Sequence, residues 1–180
     1  MPHDCRSGFL SDCISKDQAS AELFIVSPDL CQLAKSLRDR FTQAVLSLGE
    51  GIINPIGKGP DEVLDNEEFK ALVASLGVGM SLGKDVGLDL NYLRYGKIIL
   101  ATDESPQGIY VRDQVLALMH GYMGKVVSSG HVYTSNVGDI SRMTESEFSE
   151  GILARATRNI VNVKAEPNRE WWTGVEWGSE

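Results

Sequence analysis

The stretch RYGKIILATDESPQG, residues 94–108, decides the fold. Its middle, KIILA, is a short aliphatic and β-branched run that reads as a buried strand. The acidic pair Asp103 and Glu104 closes the run where a turn with Ser105, Pro106 and Gln107 begins. In an open α/β sheet, the carboxyl end of a central strand is where ligands and metals sit.

Upstream, ELFIV at residues 22–26 reads as an earlier buried strand, and Pro28 with Asp29 as N-cap opens a helix. Leu30, Leu33, Ala34, Leu37 and Phe41 recur there at helical spacing. Glycines and prolines from Gly49 to Pro60 then predict a loop. Asn66 or Asp65 caps an amphipathic helix with Phe69, Leu72, Val73 and Leu76 on one face and Gly77 just past its end. The glycine-rich GVGMSLGKDVG at residues 77–87 follows a helix and lacks a G-K-[ST] ending, so it reads as a connector rather than a phosphate loop.

Downstream, Val111, Val115, Leu116, Leu118, Met119, Tyr122 and Met123 mark a second strand-helix unit, and residues 131–133 a further strand. Thr144 and Glu147 form a capping-box pattern before a helix through Phe148, Ile152 and Leu153. Ile160, Val161 and Val163 hint at a late strand. Trp171, Trp172 and Trp177 then crowd a short segment, either as a docking patch for a partner or as a cover for the sheet edge. The expected architecture is α/β, a mostly parallel sheet of about four strands with helices on both faces. The expected domain covers residues 8–134, with an irregular extension over residues 135–180.

Length and composition bound the function. A chain of 180 residues suits one domain with one core, and no apolar run approaches the roughly 20 residues that span a bilayer. The N-terminal MPHDCRSGFL lacks a basic segment followed by an apolar one, so the expected location is cytoplasmic, without membrane contact. A formal charge of −8 argues against gripping nucleic acid by general electrostatics, though not against a metal-mediated contact or a basic partner. Cys5, Cys13 and Cys31 show no C-x-x-C spacing and read as reduced thiols. His3, His120 and His131 are too scattered to suggest a triad or a His-based metal site.

Five blocks in order carry a resemblance: GFLSDCISKDQASAELFIV, KSLRDRFTQAVLSLGEGIINP, NEEFKALVASLGVGM, LRYGKIILATD and GHVY. Together they resemble the TOPRIM region of the B subunit of bacterial type IIA topoisomerases, from about Gly8 to Tyr133. The preceding ATPase domain and the proline-rich continuation of that family are not recognised. The resemblance implies a TOPRIM-like fold, Mg²⁺-dependent DNA cleavage and a partner that bears the cleavage tyrosine.

The chemistry-bearing positions depart from the family. Its first strand ends in E-G-D-S-A-G-G, whose glutamate is the general acid/base; Ser27 stands at that position here, in a segment one residue shorter. Its T-D-x-D-x-D-G becomes Thr102, Asp103, Glu104, Ser105, Pro106, Gln107, Gly108, so the first acid alone remains. Asp103, aided by Asp29 and Glu104, is thus expected to hold Mg²⁺ weakly at best, because adjacent side chains of an extended segment diverge. Gly49 and Gly51 replace the arginine and lysine of the family's L-R-G-K, leaving Lys35, Arg38, Arg40 and Lys58 as candidate DNA contacts.

The leading expectation is a catalytically inactive TOPRIM-like homologue that needs no cofactor and binds a protein, the tyrosine-bearing A subunit, with DNA bound weakly if at all. One alternative is a component or fragment of a type IIA topoisomerase with an altered Mg²⁺ site. Another is a decayed fold without a role, or a repurposed one that binds a small ligand, with Tyr110, Arg112 and the tryptophans as candidates.

Overall fold

Side chains alternate along the central strands and build two cores, one on each face of a sheet. Leu23, Ile25, Ala44, Leu46, Ile98 and Leu100 point into the larger core. Phe24, Val26, Val45, Ile99 and Ala101 point into the smaller one. The computed structural model describes residues 5–49, 51–80, 88–135, 156 and 160–163.

The strands are β1 (Leu10–Ser11), β2 (Glu22–Val26), β3 (Gln43–Ser47), β4 (Lys97–Leu100), β5 (Val132–Ser135) and β6 (Ile160–Asn162). They form one six-stranded sheet in the order β1-β3-β2-β4-β5-β6. The four central strands are parallel, as expected, and the two edge strands run antiparallel.

Helix α1 (Pro28–Leu37) packs Leu30, Cys31 and Ala34 on the smaller core. The other face is covered by α2 (Pro60–Leu64), α3 (Glu67–Leu76), α4 (Pro106–Tyr122) and α5 (Gly124–Ser128). A 3₁₀ turn at Leu90–Tyr92 leads into β4.

Helix α3 follows the sequence reading: the Asn66 side chain accepts the Phe69 N–H at 3.1 Å, and Gly77 takes the left-handed conformation at φ +80° that a residue with a Cβ rarely adopts. Helix α1 does not. Its N-cap is Ser27 rather than Asp29, and it stops at Leu37. The Asp39 carboxylate then takes the Phe41 N–H and the Thr42 hydroxyl, a turn that competes with helix and sends the chain into β3. Phe41 is left exposed.

Strand β3 was not expected, and neither was β1. The late strand was, and β6 pairs with β5 through Val161 and Thr134. The helix expected around Thr144 to Leu153, most of the connector after Met80 and the three tryptophans lie outside the described residues.

The amino ends of the central strands are pinned by Asp12. Its carboxylate accepts Tyr95 Oη at 2.7 Å and the Cys13 N–H at 2.8 Å, and pairs with Arg94. Burial pushes this acid up, but these hydrogen bonds outweigh it and hold Asp12 below the ordinary 3.8.

Candidate functional site

The turns after β2, β3 and β4 meet at the carboxyl ends of the sheet. The first two turns, the starts of α3 and α4, and residues 5–7 border a pocket of about 460 Å³. Arg6, Ser27, Asp29, Gly49, Glu68 and Gln107 are among its lining residues.

Ser27 is only 5% exposed and caps α1 through its backbone, with no side-chain bond to the helix. Its hydroxyl has no hydrogen-bond partner, and the Gln107 amide nitrogen is likewise buried and unmatched. Unpaired buried donors of this kind are costly.

Asp103 faces its own helix. Its Oδ1 accepts the Ser105 N–H at 3.2 Å and the Ser105 hydroxyl, whose oxygen in turn accepts the Gly108 N–H at 3.0 Å. The carboxylate is thereby committed to the first turn of α4. Residue 108 must be glycine for this arrangement, because a Cβ there would overlap both Oδ1 and the carbonyl oxygen of Asp103.

Of the three acids expected to ligate a metal, Asp29 alone lines the pocket. Glu104 is exposed. Among the described residues no three His, Cys, Asp or Glu side chains come together as a metal-binding group. Mg²⁺ takes near-octahedral oxygen geometry with one or two carboxylates and waters, and here the Asp103 carboxylate is turned to Ser105 while Asp29 stands on the pocket wall.

Glu68 is the acid that sequence reasoning missed. It is 6% exposed and accepts the Gly49 N–H at 2.7 Å and the Gly51 N–H at 2.9 Å. Both glycines are packed close: a Cβ at Gly51 would lie 2.6 Å from Glu68 Oε1, and one at Gly49 would lie 2.8 Å from Pro28 Cγ. The signal was periodicity, since Glu68, Leu72, Ser75 and Leu76 share the buried face of α3.

The basic residues are dispersed. Lys35 is 8% exposed, with its ammonium 4.9 Å from the centre of the Phe9 ring. Arg38 donates from one nitrogen to the carbonyls of Ser11, Asp12 and Gln43, at 2.6, 2.9 and 3.0 Å. Arg40 and Lys58 are exposed. Tyr110 donates to the Ile52 carbonyl and Arg112 lies 3.6 Å from Asp113, and neither lines the pocket.

No family model matches the chain. Curated relatives do. The type 2 topoisomerase B subunit of Aquifex aeolicus is 43% identical over 127 residues, 70% of this chain and 16% of that protein. The DNA gyrase B subunit of Thermus thermophilus is 39% identical over 127 residues, 70% of this chain and 20% of that protein.

The chain is a homologue of the TOPRIM region of type IIA topoisomerase B subunits.

The DNA gyrase B subunit of Streptococcus pneumoniae extends this likeness to 154 residues, 85% of the chain, at 34% identity. The chain spans about a fifth of the length of these relatives. Within the TOPRIM scaffold, the strand ends carry a hydroxyl at Ser27 and a capping carboxylate at Asp103. No helix among the described residues is long and apolar enough to cross a membrane.

Proposed function

We propose that this TOPRIM-like chain works in the cytoplasm by binding a protein, without DNA cleavage chemistry of its own. The partner that suits it is the tyrosine-bearing A subunit of a type IIA topoisomerase, with residues 8–134 as the binding unit. One observation carries the reading: the Asp103 carboxylate is engaged with Ser105 and does not face the pocket with Asp29. Homology to B subunits supports the choice of partner, because a shared scaffold can keep a docking surface after its metal ligands are gone.

The test adds the purified chain to an immobilised A subunit and then to supercoiled DNA with Mg²⁺. The expected result is saturable binding with no cleavage or relaxation. Cleavage that disappears in Asp103→Ala would overturn the reading, as would an A subunit that does not retain the chain.

A second reading has its own support in the pocket of about 460 Å³ and the unpaired Ser27 hydroxyl. On that reading the chain binds a small polar ligand at the strand ends. A thermal-shift screen against small polar metabolites, repeated on Ser27→Val, separates the two: a ligand that stabilises only the parent chain favours the pocket.

A further inference from the structure

The three cysteines occupy different environments. Cys13 is 5% exposed and its thiol donates to the Ser15 carbonyl at 3.6 Å. Cys31 is fully buried in the smaller core. Cys5 packs on the edge of that core, remains partly exposed and lines the pocket.

Cys5 and Cys31 are brought together by their surroundings. The Cys5 thiol reaches Oε1 of Gln32, the neighbour of Cys31 on α1, at 3.8 Å. Ser47, itself fully buried, donates to the Cys5 carbonyl at 3.4 Å and also contacts the Cys31 thiol. The Gly8 N–H bonds the Ser47 carbonyl at 2.6 Å, so residues 5–8 are strapped against the end of β3. Cys5 packs against the small core cluster that contains Cys31, which places the two thiols within interaction range of each other.

We infer that Cys5 is a thiol-exchange site for low-molecular-weight disulfides and that Cys31 resolves it, giving an intramolecular Cys5–Cys31 bond. Cys5 gives its proton to solvent and attacks one sulfur of the small disulfide. A mixed disulfide forms, the small S–S bond breaks, and the first thiolate leaves and takes up a proton. Cys31 then loses its proton and attacks the Cys5 sulfur, expelling the second small thiolate, which is protonated in turn. Two protein thiols are oxidised and one small disulfide is reduced to two thiols.

Burial pushes the Cys31 thiol up to about 12, so its thiolate is scarce near neutrality. Entry therefore belongs to the accessible Cys5, and the resolving step quickens as pH rises. The bond would close a loop through β1, β2 and the start of α1, fixing the wall of the pocket that Cys5, Arg6 and Ser7 provide.

The test treats the purified chain with oxidised glutathione and follows thiol content, intact mass and the linked peptides. The parent chain is expected to lose two of its three thiols, keep no glutathione and yield a peptide joining Cys5 to Cys31. Cys31→Ser is expected to stop at glutathione on residue 5, and Cys5→Ser to stay unmodified. Three results would each overturn the inference: lasting glutathione on Cys5 in the parent chain with Cys31 free, bridges between chains, or equal modification of Cys5→Ser. None of these outcomes depends on whether the chain binds a topoisomerase.

Discussion

Oε1 of Glu68 lies 2.9 Å from the amide nitrogen of Gly51, and a Cβ on residue 51 would start 2.6 Å from that same oxygen. A buried carboxylate is thus matched to a backbone turn where a Cβ would push it aside. The match ties α3 to the loop after β3 and sets the floor of the pocket.

Removing this match should be costly. Glu68→Ala leaves the Gly49 and Gly51 N–H groups unanswered, and a loss of about 2–4 kcal/mol in urea unfolding is expected. Gly51→Ala should cost about 1–3 kcal/mol by forcing the carboxylate away. Unchanged stability in both variants would contradict the role given to Glu68.

Gly108→Ala tests the placement of Asp103. The added methyl would collide with the Asp103 carboxylate and carbonyl, so destabilisation of about 1–3 kcal/mol is expected. Calorimetric melting of the variant reads it directly, and a neutral result would mean that Asp103 does not fold back onto α4.

Arg38 is expected to serve the fold. Arg38→Met should cost about 1.5–3 kcal/mol, because it removes the donor that three carbonyls share. Arg40→Ala, at an exposed position, should stay within about 0.5 kcal/mol of the parent. Paired melts and DNA-binding isotherms distinguish this from a phosphate contact, which would alter affinity and leave stability intact.

His120 gives the chain a pH dependence. Burial lowers it from 6.5 to about 4, so the folded state binds a proton less readily than the unfolded one. The stability linked to its neutral form is fully present above pH 6.5 and is lost as pH falls towards 4. Unfolding free energy should therefore decline across that window with a slope of up to about one proton, and His120→Leu should flatten it. An identical slope in the variant would assign the effect elsewhere.

The parallel core of the sheet was legible because β2 and β4 are apolar runs buried on both faces, which periodicity and length identify together. Helix α3 was legible from its caps, Asn66 and Gly77. Strand β3 was not, because Phe41 continues the helical spacing of α1 and only the Asp39 turn breaks it. The candidate site was half legible. Ser27 and Asp103 could be placed at strand ends from sequence, but the direction of the Asp103 carboxylate depends on Ser105 and Gly108. Glu68 escaped because an acid in the first turn of a helix ordinarily faces solvent, and its partners are backbone groups that leave no mark in the sequence. Cys5 escaped for the same reason, since the strap that brings it to Cys31 is held mainly through Ser47 and backbone bonds.

Under the proposed function the strand ends do not hold a divalent metal. Isothermal titration of Mg²⁺, then Mn²⁺, into the purified chain tests it most directly, with Asp103→Ala alongside. The account predicts no saturable heat at sub-millimolar metal and indistinguishable traces for the two proteins. Sub-millimolar binding that vanishes in Asp103→Ala would contradict it.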